Sequence, residues 1–171
     1  MVAKRQYPGT SCYVDHACLK ITGSSLSSKT IESATGQPVL YYFMCRWTCS
    51  RCWKMAMMLG RMGNLLMDHN VAVVLVGNSH YLQPATRMAA KLKLHFTLLG
   101  DDASALKCAY GLRVANGPDH GQAMLLLDGQ GEPFFCQNNL ENRLALDLPG
   151  LITAIKTLPK VDSTISRKLT C

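Results

Sequence analysis

An α/β sandwich, a mixed central sheet with helices on both faces, is the architecture expected of this 171-residue chain. Three observations lead there. Two short aliphatic and aromatic runs, residues 39–44 and 71–76, flank a stretch whose apolar side chains recur at helical spacing. A second pair of apolar runs, 124–127 and 133–136, is joined through the turn-forming Asp128-Gly-Gln-Gly131, as hairpin strands are. The composition, 48% apolar against 17% charged, suits a packed core and not a disordered chain. The length suits one domain, large enough to bury a core without disulfide or metal staples.

The elements follow in order. Residues 1–36 are rich in Gly, Ser and Thr and read as loops with one or two short strands. Gly36-Gln-Pro38 then introduces Val39-Leu-Tyr-Tyr-Phe-Met44, an apolar run of the kind a central strand shows. From Ser50 to about His69, Trp53, Met55, Met58, Leu59, Met62, Leu65 and Leu66 recur every three or four residues, which predicts one helix. Residues 71–76 are a second buried strand, closing a right-handed strand-helix-strand unit. After Gly77-Asn-Ser-His80, Ser79 is the expected cap of a helix reaching about Lys93, with Pro84 tolerated near its first turn. Residues 96–99 are a short strand or extended loop, and Asp101 and Asp102 would cap a short helix, 103–110, ending at Gly111. A hairpin over 124–136 and an amphipathic helix over 148–158 complete the order. Boundaries fall at 1–30 for an irregular extension, 31–159 for the domain and 160–171 for a polar tail. A parallel pair, an antiparallel hairpin and a closing helix are the plan of the thioredoxin-like sandwich.

Several classes are disfavoured. The net charge of +7 is scattered, with no block of five bases, so no nucleic-acid partner is expected. The longest aliphatic run is far shorter than the ~20 residues that span a bilayer, so no membrane partner is expected. No apolar segment follows the charged first residues, and a cytoplasmic location is the expectation.

Eight cysteines, at 12, 18, 45, 49, 52, 108, 136 and 171, are many for a chain kept in reducing conditions. Cys108 and Cys136 lie in apolar patterns and read as small core residues. Cys49-Ser-Arg-Cys52 lies where a strand delivers the chain into a helix. There the backbone N–H groups and helix dipole favour a thiolate, and two cysteines at this spacing can close a disulfide. Arg46, Arg51 and Lys54 add positive charge nearby, and Thr48 is a further candidate for supporting the thiolate. Zinc is the rival for Cys45, Cys49 and Cys52, but a fourth ligand is missing. Cys12, His16 and Cys18 would have to fold onto the site, and their spacing is irregular. His69, His80, His95 and His120 read as surface or turn residues. No metal or other cofactor is expected. Trp47 and Trp53 are candidates either for walls of the site or, for Trp53, for a core anchor. The run Met55-Ala-Met-Met58 reads as core filling.

Several segments together resemble the alkyl hydroperoxide reductase and thiol-specific antioxidant family, the peroxiredoxin-like branch of the thioredoxin fold. They are Gln37 to Met44, the cysteine cluster, 71–76, Phe96-Thr-Leu-Leu-Gly-Asp-Asp102, Ala109-Tyr-Gly-Leu112 and 124–131. The resemblance covers about residues 30–158. It implies a thiol-dependent antioxidant oxidoreductase acting on peroxides or disulfides, recycled by a thioredoxin-like protein or a small thiol. The family's Pro-x-x-x-Thr-x-x-Cys signature, set on Cys52, puts Cys49 at the threonine and Cys45 at the proline. Members with Cys-x-x-Cys look closer to thioredoxins, whose N-terminal cysteine attacks, so Cys49 is the expected nucleophile and Cys52 the resolving thiol; the reverse order stays open. The family's peroxide-polarising arginine aligns with Gln122, which weakens the expectation of strong peroxidase activity. The thioredoxin cis-proline has no counterpart, Pro118 standing too early. The alternative is a noncatalytic thioredoxin-fold binding or scaffold domain, favoured by these departures.

Overall fold

The computed structural model describes residues 5–6, 13–14, 36–100, 107, 110, 112, 121–139 and 146–159. In the N-terminal extension, β1 (Arg5–Gln6) and β2 (Tyr13–Val14) pair antiparallel, in line with the short strands expected there. The domain is built on β3 (Val39–Phe43), β4 (Ala72–Gly77), β5 (Thr97–Gly100), β6 (Gln122–Leu127) and β7 (Pro133–Asn139), in the spatial order β5-β4-β3-β6-β7. β3, β4 and β5 run parallel, and β6 and β7 are antiparallel to their neighbours. The α/β sandwich with a mixed sheet is therefore what the chain forms.

Strand β3 is central and buried at every position. Its alternation splits the core. Leu40, Tyr42 and Met44 point into one layer with Leu75, Met124 and Leu126, while Val39, Tyr41 and Phe43 point into the other with Val76, Leu125 and Leu127. The first layer is closed by α1 (Ser50–Arg61), α2 (Gly63–Asp68), α3 (Leu82–Lys91) and α4 (Leu148–Lys156) through Trp53, Ala56, Leu66, Ala85, Ala89, Leu151 and Ile155. On the opposite layer lie Leu112 and Tyr110, together with Lys107 in a helical position. Two successive right-handed crossovers moving the same way across a sheet put their helices on one face, which is why α1 and α3 share a layer.

Three expectations are corrected in detail. The helix expected over 50–69 is two helices, broken at Met62, which takes φ −84°, ψ 11° before Gly63. The cap before α3 is Asn78, not Ser79: its side chain accepts from His80 N–H at 2.9 Å, and residues Ser79–Tyr81 form a 3₁₀ turn. Pro84 falls in the first turn of α3, where its missing N–H costs nothing. The last helix stops at Lys156, short of 158, and starts on Asp147, whose carboxylate accepts from Gly150 N–H at 2.9 Å. The hairpin turn is held by Asp128, whose carboxylate accepts from Gln130 N–H at 2.8 Å and Glu132 N–H at 3.0 Å. Residues 96–99 resolve into a parallel edge strand, β5. The expected helix 103–110 and its cap at Asp101 and Asp102 lie outside the described residues, apart from Lys107 and Tyr110. No described helix is long and apolar enough to cross a membrane.

Candidate active site

The carboxyl ends of β3 and β4 and the start of β6 meet at one edge of the sheet, the side on which parallel α/β sheets present ligands. Met44 N–H still donates to Val76 C=O at 2.9 Å, after which the chain turns through 45–49 into α1. Two tryptophans hold that turn. Trp47 Nε1–H donates to Asn78 C=O at 2.7 Å, tying the loop to the end of β4, and Trp53 Nε1–H donates to Trp47 C=O. Their rings lie 6.2 Å apart and both are buried. They are anchors behind the site; neither lines it. Gly77 is required opposite them, because a Cβ there would stand 2.7 Å from Trp47 Cζ2 and 2.8 Å from Nε1. Met58, in contrast to the core filling expected of its run, is 44% exposed.

Cys49 is the N-cap of α1, in extended conformation, and its side chain makes no capping bond. The positive end of the helix dipole favours negative charge gathering at that end. Cys45, Cys49 and Cys52 have their sulfurs all within 4.8 Å of one another, and all three are free thiols. Cys45 and Cys52 touch at 3.3 Å, both buried, while Cys49 is half-buried. A cleft of about 420 Å³ opens over the group, lined by Cys45, Arg46, Thr48, Cys49, Ser50, Arg51 and Gln122. Cys52 sits behind it. The three sulfurs could ligate a metal, but tetrahedral zinc needs a fourth donor, and among the described residues the cluster offers three.

The buried pair shares its protons unequally. The Cys45 thiol donates to Cys52, and that bond is the main reason the Cys52 thiol is pulled down to about 5. The Tyr42 hydroxyl, the Cys45 backbone and the Cys49 thiol add to it, against an opposing effect of burial. The same bond, with burial behind it, pushes Cys45 up, so the pair gives up one proton easily and keeps the second. Tyr42 Oη is buried without a partner of full hydrogen-bond geometry among the described residues. Burial first, and then the neighbouring Cys52, push its phenol far above the ordinary range. Gln122 arrives from β6 and sends Nε2–H to Cys52 Sγ at 3.3 Å. Just before it, Gly121 takes φ 63°, a left-handed conformation suited to glycine, and its C=O accepts from Lys107 Nζ at 3.0 Å. Lys107 is fully buried, with its ammonium 5.5 Å above the Phe43 ring. Burial lowers its pKa to about 8, and the charges of Cys45 and Cys52 oppose that shift.

The structure thus gathers Cys45, Cys49 and Cys52 and places Arg46, Thr48 and Arg51, all exposed, on the cleft's rim. The leading support of the Cys52 thiolate comes from neutral donors. Sequence reasoning set Gln122 aside as a lost arginine and missed Tyr42 and Lys107. Strand alternation could have found Tyr42, since it shares a face with Met44, the last residue before the cluster; nothing local signals Lys107. His80 and His95 are exposed and His69 half-buried, as surface and turn residues should be. Cys12, His16, Cys18, Cys108, Pro118, His120 and Cys171 lie outside the described residues. Cys136 is buried on β7 as expected, but it is disulfide-bonded and not merely a small core residue; its partner lies outside the described residues.

No family model matches the chain, and no curated protein does. Solved structures do. A peroxiredoxin-like protein from Aquifex aeolicus superposes with a TM-score of 0.59 over 70% of this chain and 71% of its own, at 13% identity. AhpC of Enterococcus faecalis gives 0.61 over 71% and 74%, at 17% identity. A secreted Mycobacterium tuberculosis disulfide oxidoreductase homologous to E. coli DsbE gives 0.53 over 73% and 85%, also at 17%. At such identities the likeness is one of fold. The chain has the thioredoxin fold.

Proposed function

We propose that the protein is a thiol-dependent oxidoreductase in which Cys49 attacks and Cys52 resolves. The carrying observation is the trio of sulfurs at the N-terminus of α1, one held as a thiolate behind a half-exposed neighbour. Cys49, its proton passed to Cys52, attacks one sulfur of a substrate disulfide. The departing thiolate recovers that proton, and recharged Cys52 attacks the Cys49 sulfur. The second substrate thiolate leaves, and Cys49–Cys52 closes. With a peroxide, the same attack breaks the O–O bond, the alcohol or water leaves with the proton, and Cys52 displaces hydroxide from the Cys49 sulfenic acid.

Disulfides are the better-suited substrate. A departing alkoxide needs a strong donor, and where the family resemblance sets an arginine this chain has the neutral amide of Gln122, which lines the same cleft and bonds Cys52. A departing thiolate, being the far weaker base, leaves without one. The solved structures that share the fold include both peroxiredoxins and disulfide oxidoreductases, which agrees with either substrate. A thioredoxin-like protein or a small thiol in the cytoplasm would return the cysteines to the reduced state.

The test is peptide mapping of the reduced protein after one equivalent of a small disulfide or of hydrogen peroxide, with Cys49→Ser and Cys52→Ser alongside. A dithiol-reversible disulfide at Cys52, and a mixed disulfide trapped on Cys49 in Cys52→Ser, are expected. Thiols that stay unreacted under both oxidants would leave the noncatalytic binding domain as the reading.

A further inference from the structure

The Cys-x-x-Cys pair accounts for two of the three clustered sulfurs; in that chemistry Cys45 supports the Cys52 thiolate but forms no covalent bond. We propose that Cys45 is a third redox cysteine, taking the disulfide from Cys49–Cys52 into a buried Cys45–Cys52 bond and returning Cys49 to the free thiol. This deepens the thiol-redox reading above and rests on it.

The placement carries the argument. Cys45 Sγ already stands 3.3 Å from Cys52 Sγ, so closing an S–S bond of ~2.0 Å needs an approach of only about 1.3 Å. Cys45 touches the sulfur that must be attacked, Cys52, from the loop side, while Cys49 reaches the group from the helix cap. The two bonds differ in access. Cys49 is half-buried on the cleft, whereas Cys45 and Cys52 are 7% and 0% exposed.

The step balances without an outside reagent. The Cys45 thiol attacks Cys52 Sγ, the Cys49–Cys52 bond breaks as the Cys45–Cys52 bond forms, and the Cys45 proton ends on Cys49. No electrons are gained or lost. Oxidation itself prepares the attack. In the reduced protein the main hold on the Cys45 proton is its bond to the Cys52 thiolate; once Cys52 is in a disulfide, that negative charge is gone. The oxidised protein then stores its disulfide in the core and keeps a free thiol at the cleft. A reductant too bulky to enter reaches it only after exchange back through Cys49.

The sequence makes the test clean, because trypsin cuts after Arg46 and Arg51 and so puts Cys45, Cys49 and Cys52 on three different peptides. The reduced full chain is oxidised with one equivalent of oxidised glutathione, left to equilibrate, acid-quenched, alkylated and digested. The expected product links the Cys45 and Cys52 peptides and carries the alkyl group on Cys49. In Cys45→Ala the bond must stop at Cys49–Cys52, so alkylation of Cys49 should fall severalfold on oxidation while in the parent chain it persists. A predominant Cys49–Cys52 linkage with Cys45 alkylated overturns the relay and leaves the redox reading standing. No disulfide at Cys52 under any oxidant sinks both.

Discussion

Removing the Cys45 thiol should raise the pKa of Cys52 by about 1–2 units, from about 5 toward the ordinary thiol range. The starting value rests first on the bond that Cys45 donates to the Cys52 thiolate. A hydrogen bond to a charged group is worth about 1.5–3 kcal/mol, and one pKa unit corresponds to about 1.4 kcal/mol. The rise stops short of the full range because Gln122 Nε2–H, the Tyr42 hydroxyl and the Cys45 backbone remain in Cys45→Ala. Because the cluster holds three thiols, the comparison is the difference between Cys49→Ser and Cys49→Ser/Cys45→Ala, in which every other cysteine is common to both. Ultraviolet thiolate absorbance against pH is the readout, since it registers a buried thiolate that an alkylating reagent reaches slowly. A midpoint that stays put to within a few tenths of a unit would refute the assignment of Cys45 as the principal donor. It would shift the burden to the helix terminus and to Gln122.

The depressed Cys52 pKa also links pH to stability. In the window from about 5 up to the ordinary thiol range the unfolded chain binds a proton that the folded one does not. The Cys52 contribution therefore grows as pH rises through that window, by up to about 1.4 kcal/mol per unit, and is lost as pH falls through about 5. Denaturant titrations of the reduced protein at several pH values should show this slope and Cys52→Ala should lack it; parallel lines would be the adverse result. Lys107, whose folded pKa is lowered to about 8, adds a rise in stability as pH climbs from about 8 toward the ordinary lysine value, which Lys107→Met should remove from the same curves. Gln122→Arg should speed oxidation of the thiols by hydrogen peroxide about tenfold, because a charge-assisted bond is roughly twice as strong as a neutral one and the gain of ~1.4 kcal/mol appears in the barrier. Stopped-flow fluorescence of the adjacent tryptophans measures it, and an unchanged rate would separate Gln122 from the chemistry. Gly77→Ala should cost about 1–3 kcal/mol by driving a Cβ into the Trp47 indole, and a thermal midpoint unaltered by the change would deny that contact.

The fold was legible because its signals are local. The run 39–44, the period of 53–66, the run 71–76 and the Asp128 turn each announce one element, and parallel crossover rules join them. What escaped was local too, but finer: whether Met62 interrupts a helix before Gly63, and whether Asn78 or Ser79 caps the next one. Either residue type caps well, and the backbone path decides between them. The site was half legible. Cys49-Ser-Arg-Cys52 shows its spacing openly, and the arginines beside it invite a charge-based account of the thiolate. Contacts between residues far apart in sequence decide otherwise. Gln122 stands 70 residues from Cys52, and Lys107 reaches the site's far wall through the carbonyl of Gly121.

Hydrogen bonds from near and far in the sequence explain how a thiolate is held in the core. A buried charge needs either a counter-ion or several hydrogen bonds, and the fold supplies bonds. Cys45 gives the first, Gln122 another from the adjacent strand β6, and the Tyr42 hydroxyl on β3 lowers the same thiol further. The buried cation, Lys107, donates to the Gly121 carbonyl beside Gln122, and its charge also interacts with Cys45 and Cys52. A thiolate whose leading support is a hydrogen bond from a neighbouring thiol already has, in that neighbour, a second sulfur in place to receive the disulfide. That favours passing a disulfide among three neighbouring sulfurs over stabilising a departing oxygen. It is the physical ground for preferring disulfide exchange to peroxide reduction at this site.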